Sequence, residues 1–157
     1  MKLLALHGIN LNMFGLRDSA HYGTASLADI DTALQHLAGE LGVTLECFQT
    51  NDEGKMCERI HKAVLERTSG VLINAGAWSH TSLAIADALA ILRCPVVEVH
   101  MSNIYAREPV RHRSYIAPLA RGQISGLGIH SYLLGLRALT ELAREVQSDL
   151  DSDISII

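Results

Sequence analysis

Four short apolar runs, each closing on polar residues, divide the chain: Lys2–Leu6, Val43–Gln49, Gly70–Asn74 and Val96–Val99. Runs of this length, bounded by Gly, Asn and charged residues, predict buried strands. The segments between them carry apolar residues at helical spacing. Leu27, Ile30, Leu34, Leu37 and Leu41 predict a first helix, with Ser26 as N-cap, Asp29 at the capping-box position and Gly42 as the stop. Gly54–Arg67 predicts a second through Met56, Ile60, Val64 and Leu65. Ser79 is expected to cap a third, which turns Leu83, Ile85, Leu89 and Leu92 inward. Gln123–Ser125 reads as a short fifth strand, and Ile129 to Val146 as the last helix. The stretches His7–Thr24 and His100–Arg121 hold neither period and read as long loops. Residues 148–157 are acidic and are expected to form a mobile tail behind a single domain, 1–147.

Strands alternating with helices predict a parallel sheet covered on both faces. The length suits the smaller doubly wound arrangement, a flavodoxin-like five-stranded sheet of order 2-1-3-4-5. That order sets strands one, three and four side by side. All three turn polar in one step: Leu6 into His7-Gly8-Ile9-Asn10, Ile73 into Asn74-Ala75-Gly76, and Val99 into His100-Met101-Ser102-Asn103. Open α/β sheets bind ligands at this carboxyl edge, so one crevice is expected to collect these residues.

Composition narrows the partners. A formal net charge of −4 provides no basic field for nucleic acid. No apolar stretch is long enough to cross a bilayer, and the run Met1–Leu6 ends too early at His7 and Gly8 for a signal peptide. Three cysteines, Cys47, Cys57 and Cys94, form neither a CxxC pair nor a metal spacing. An odd number argues against a complete disulfide framework, and a reducing cytoplasm fits.

Several groups carry candidate chemistry. Glu98 and His100 are two apart on a strand and face the same side, so the carboxylate can fix the imidazole tautomer; a buried structural pair is an equally good reading. His80, at the predicted helix start, is either a carboxylate-binding donor or a plain cap. Arg107, Arg111, His112 and Arg113 form a basic run that suits a solvated surface or an anionic, polyhydroxylated ligand. Tyr22 shares the first loop with Arg17. A tyrosine of pKa near ~10 is about a thousandth ionised at pH 7, so its use as a base costs roughly 4 kcal/mol. A neighbouring arginine recovers part of that, although spacing alone favours a surface loop. Lys2, Lys55 and Lys62 avoid the polar strand ends, which disfavours Schiff-base chemistry. His36 and His61 fall on helix surfaces. Gly126-Leu127-Gly128 half-matches a dinucleotide fingerprint but reads better as a packing turn at a helix start.

Four blocks carry a resemblance. They are Gly8-Ile9-Asn10-Leu11-Asn12-Met13-Phe14-Gly15-Leu16-Arg17 followed by Tyr22-Gly23; Ile73-Asn74-Ala75-Gly76-Ala77-Trp78-Ser79-His80-Thr81-Ser82; Glu98-Val99-His100-Met101-Ser102-Asn103 with Ala106-Arg107-Glu108 and Arg111; and Gly122-Gln123-Ile124-Ser125-Gly126-Leu127-Gly128. In this order they resemble the type II 3-dehydroquinate dehydratases over nearly all of residues 2–145. The resemblance implies a flavodoxin-like fold, no cofactor or metal, and a cytoplasmic dodecamer built as a tetramer of trimers. It implies trans-dehydration of 3-dehydroquinate to 3-dehydroshikimate through an enolate, in the shikimate pathway or in quinate breakdown.

By the same resemblance Tyr22 is the base, Arg17 lowers its pKa and closes the lid, and Asn10 holds a water near the enolate. His100, held by Glu98, is the acid. Asn74, His80 and the backbone N–H groups of Met101 and Ser102 bind carboxylate and hydroxyls, Arg111 binds a ring hydroxyl, and Asp87 reaches a neighbouring subunit's site. The sequence departs from the usual pattern at Ile9, Asp18, Ser19 and Ala86, where the family carries proline, glutamate, proline and arginine. Two rival readings make different predictions. A non-catalytic flavodoxin-like binding protein would keep the pocket without turnover, and a metal hydrolase using His7, His80 and His100 would lose activity to a chelator.

Overall fold

A computed structural model of the chain describes residues 1–16 and 24–154. Its sheet has five parallel strands in the order β2-β1-β3-β4-β5. These are β1 Lys2–His7, β2 Thr44–Gln49, β3 Gly70–Asn74, β4 Val96–His100 and β5 Gly122–Ser125. The helices are α1 Leu27–Glu40, α2 Glu53–Leu65, α3 Leu83–Ala90 and α4 Ile129–Ile154. The expected doubly wound, flavodoxin-like order is the observed one.

Strand alternation builds two cores. Leu3 and Ala5 of β1, Leu72 of β3, and Val97 and Val99 of β4 pack on one face against Ile30 and Leu34 of α1 and Tyr132, Leu136 and Leu139 of α4. Leu4 and Leu6, Val71 and Ile73, and Val96 pack on the other against Met56 and Ile60 of α2 and Ile85 and Leu89 of α3. Both faces of the central strands are covered, which is why they read as unbroken apolar runs.

Most boundaries fall where the periodicity places them. Ser26 and Asp29 close a full capping box on α1, each side chain bonded to the other's backbone N–H. Aspartate serves although glutamate is usual at that position.

Three expectations are corrected, the first being that Leu83, expected to turn inward, is exposed on α3. Ser79 does not cap the third helix. Residues Gly76–His80 form a 3-10 turn, and the cap of α3 is Ser82, whose hydroxyl accepts from the Ile85 N–H at 3.0 Å. The Ser79 hydroxyl is buried with no hydrogen-bond partner among the described residues. The last helix does not end near Val146 but continues to Ile154. Its serines tolerate the helix because their hydroxyls bond back into it, Ser148 to the Glu145 carbonyl at 3.0 Å and Ser152 to the Ser148 carbonyl at 2.8 Å.

Candidate active site

The parallel register brings the strand ends level. His7 pairs with Asn74 across β1 and β3, and Ile73 pairs with Glu98 across β3 and β4. Beyond these ends, the loops after β1 and β3 touch backbone to backbone. The Gly8 N–H donates to the Asn74 carbonyl at 2.8 Å. A Cβ on Gly8 would lie 2.2 Å from the Ala75 carbonyl oxygen, and one on Gly76, where φ is +64°, would lie 2.7 Å from that of Ile9. Only glycine allows this approach. It closes the floor of a cleft of about 120 Å³, lined by Asn10, Asn74, His80, His100, Met101, Ser102, Arg107 and Arg111 among others.

Glu98 and His100 sit on the same side of β4, as the period of two requires. Glu98 is wholly buried and His100 nearly so. The His100 Nε2 lies 2.9 Å from a Glu98 carboxylate oxygen. The same carboxylate accepts from the Ser114 hydroxyl at 2.7 Å and the Gln123 amide at 2.8 Å. Burial pushes the Glu98 pKa up, but hydrogen bonding and charge attraction from His100, with the Ser114 and Gln123 bonds, outweigh it and hold the carboxyl below its ordinary value. Glu98 is therefore ionised, the Nε2 carries its proton toward it, and Nδ1 is the nitrogen left for the cleft.

His80 stacks on His100, with ring centroids 5.8 Å apart and planes 17° from parallel. Its Nδ1 lies 2.8 Å from the Arg113 carbonyl. Its pKa is lowered, first by burial and then by the charges of His100 and Arg111, against the opposing pull of the Arg113 carbonyl. A neutral ring that donates through Nδ1 offers Nε2 as an acceptor, so this histidine suits a ligand hydroxyl better than the carboxylate its expected place at a helix start suggested. Arg111 lines the cleft with its Nε on Glu108 at 2.9 Å. Asn10, in the left-handed region at φ 64°, is fixed through its backbone N–H, which donates to Asn51 Oδ1 at 2.8 Å.

Most predicted site residues thus converge: Asn10, Asn74, His80, Glu98, His100, Met101, Ser102 and Arg111 line or support one cleft. Asp87 does not join it, being exposed on α3. Arg17, Tyr22, Asp18 and Ser19 lie outside the described residues. His36 and His61 are exposed, and Gly126–Gly128 forms the turn into α4, its Gly128 N–H on the Met101 carbonyl at 3.0 Å. Sequence reasoning missed Asn51, Ser114 and Gln123 as supports. Gln123 was within reach, because its strand neighbours β4 and it pairs with Glu98. The metal reading fails on placement: His7 lies on the α1 side of the sheet against Tyr132 and Asp31, whereas His80 and His100 stack together in the cleft.

A flavodoxin-like sheet with a carboxylate-held histidine at its switch-point edge defines an α/β protein built for acid–base work on a small polar ligand. The family model described as dehydroquinase class II matches residues 1–140. A 3-dehydroquinate dehydratase of Leptothrix cholodnii is 60% identical over 148 residues, covering 94% of this chain and 99% of its own. One of Syntrophotalea carbinolica is 62% identical over 143 residues, covering 91% and 97%. The crystal structure of the type II dehydroquinase of Propionibacterium acnes aligns with a TM-score of 0.86 at 44% identity, over 89% of this chain and 96% of that one. The chain belongs to the class II dehydroquinase family, the type II 3-dehydroquinate dehydratases.

Proposed function

We propose that the cleft dehydrates 3-dehydroquinate to 3-dehydroshikimate by trans elimination through an enolate. Tyr22, its pKa lowered by Arg17, removes the proton on C2, alpha to the ketone, and the electron pair moves into the enolate. Asn10 holds a water near the enolate oxygen. His100 then gives a proton from Nδ1 to the C1 hydroxyl as the C1–O bond breaks. The C1=C2 bond forms, the ketone returns and water leaves. Asn74, His80 and the backbone N–H groups of Met101 and Ser102 hold the carboxylate and hydroxyls, and Arg111 a ring hydroxyl. Asp87, exposed on its own subunit, completes a neighbour's site in a trimer, four of which form a dodecamer. The reaction serves cytoplasmic aromatic biosynthesis or quinate breakdown. The roles of Tyr22, Arg17 and Asp87 rest on the resemblance.

The observation that carries the mechanism is the buried Glu98 carboxylate, which holds the Nε2 of His100 at 2.9 Å and leaves Nδ1 to the cleft. An enolate must expel hydroxide, and hydroxide needs a positioned acid. The test is ultraviolet absorbance of the conjugated enone carboxylate after mixing protein with 3-dehydroquinate, with Tyr22→Phe and His100→Ala alongside. A rise in the parent and none in either variant supports the scheme. Equal rates in Tyr22→Phe remove the base, and no rise in a folded, assembled parent returns the chain to a binding protein.

A further inference from the structure

Behind the cleft, on the α1 and α4 side of the sheet, a line of buried polar groups runs from Asn74 toward the surface. Asn74 and His7 end β3 and β1 at the same level. Tyr132, from the first turns of α4, is wholly buried, and its hydroxyl lies 3.1 Å from the His7 Nδ1. The His7 Nε2 lies 2.9 Å from Asp31 Oδ1 on α1, off the line of an ideal hydrogen bond. Neither atom has a hydrogen-bond partner elsewhere among the described residues, so each depends on the other for satisfaction. Asp31 is the half-buried outer end, its side chain 35% exposed.

The proton directions along this line follow from its inner end. The Gly76 N–H can only donate, and it donates to the Asn74 Oδ1 at 3.1 Å. The other amide atom is then Nδ2, a donor, on the sheet face that Asn74 shares with its register partner His7, and Asn74 acts on the Tyr132 hydroxyl as a donor to its oxygen does, pulling its pKa down against the larger upward push of burial. That oxygen accepts, so its own proton goes to the His7 Nδ1. Nδ1 is thus the bare nitrogen, and Nε2 carries the proton that faces the Asp31 carboxylate. Cys47, beside Asp31, keeps its thiol proton: burial, then the Asp31 charge, push its pKa up to about 12. It is a weak donor there.

The geometry points to Asp31, His7 and Tyr132 as a one-directional polar relay, a charge contact from Asp31 to His7 followed by the Tyr132–His7 hydrogen bond, that orients the Asn74 amide, so that its second N–H is presented to the substrate. These three are positioning residues. They act through Asn74 and touch no reacting atom, and the inference rests on the proposed role of Asn74 as a substrate ligand. A residue that only fixes a binding group changes ground and transition states alike, so its loss raises KM and spares kcat. Residues that act through one another are also not additive.

Three single variants and one double separate the possibilities: Asn74→Ala, Tyr132→Phe, Asp31→Ala and Asp31→Ala with Tyr132→Phe. Melting temperature and assembly are checked for each. Asp31→Ala, at a partly exposed position, supplies the test should Tyr132→Phe fail to fold. In the expected result Tyr132→Phe raises KM about tenfold with kcat within about twofold, Asp31→Ala raises KM less, and the double variant is no worse than Tyr132→Phe. If Asn74→Ala raises KM but Tyr132→Phe and Asp31→Ala only lower the melting temperature, the relay is overturned and the Asn74 assignment stands. If Asn74→Ala leaves KM unchanged, the assignment fails and the relay with it. Additive effects of Asp31 and Tyr132 also overturn it.

Discussion

Glu98→Gln isolates the charge behind the proposed acid. Glutamine has the volume of glutamate, and the local bonds leave a place for its amide. The Ser114 oxygen accepts from the backbone N–H groups of Ile116 and Ala117, each at 3.0 Å, so its own proton must go to the atom at the Glu98 Oε1 position. That atom has to stay an oxygen, and it goes on accepting from the His100 Nε2. The new NH2 falls where Oε2 stood, and Gln123 turns its amide to offer oxygen. Geometry and tautomer survive, and the negative charge is lost. A hydrogen bond to a charged partner is worth about 1.5–3 kcal/mol and one between neutral groups about 0.5–1.5 kcal/mol, so the hold on the His100 ring weakens by about 1–1.5 kcal/mol. That amounts to a loss of about 5- to 13-fold in kcat, with KM little changed.

The assay is enone absorbance on mixing with 3-dehydroquinate, with circular dichroism and assembly as controls. A kcat within about twofold of the parent would refute the claim that the Glu98 charge holds the acid in place.

Other parts of the molecule give sharper structural tests. Ser82→Ala should cost about 1 kcal/mol in urea unfolding as the cap of α3, whereas Ser79→Ala, whose hydroxyl bonds nothing described, should cost none; equal costs would refute the assignment of the cap to Ser82 alone. Gly8→Ala forces a Cβ against the Ala75 carbonyl and should destabilise by about 2–3 kcal/mol, with the cleft disrupted; a parental urea midpoint would contradict this. Because the folded pKa of Glu98 lies below the ordinary glutamate value, its stabilisation is fully present above that ordinary value and is lost as pH falls through the lower folded one; replacement by glutamine should remove this part of the acid transition. A chelator should leave turnover unchanged, because His7 is turned from the cleft; loss of activity restored by a metal ion would revive the hydrolase reading.

The sheet was legible because its signals are local. Buried strands such as Val71–Ile73 are apolar runs that break at Asn74, and α1 announces itself through Ser26, Asp29 and its leucine spacing. Ser79 misled because two candidate caps lie three residues apart, and the choice is made by the 3-10 turn that wraps His80 onto His100. The Glu98–His100 pair needed only the period of two. Its supports were hidden, because Ser114 lies in a long loop whose path is set by tertiary contacts, as when the Tyr115 N–H bonds to the Ser79 carbonyl at 2.8 Å. The end of α4 was missed because Ser and Asp have weak helix propensity, which the backward serine bonds offset.

A common device holds the cleft. His100 is fixed through Nε2 by Glu98, His80 through Nδ1 by the Arg113 carbonyl, Asn74 through Oδ1 by the Gly76 N–H, and Arg111 through Nε by Glu108. In each case one polar atom is committed to the scaffold, and that commitment decides what the remaining atom can do. His80 becomes an acceptor and Asn74 a donor, while His100 becomes a nitrogen able to carry a proton in and out. A ligand that enters finds these orientations already set, so little ordering is left to oppose binding. The same logic explains how β4 and the 3-10 turn after β3 can each supply one ring of the His80–His100 stack without confusing their roles. One ring is anchored by an ionised carboxylate, the other by a neutral carbonyl in a buried setting that disfavours its charge. Exchanging those two anchors, rather than either histidine, is what would exchange their chemistry.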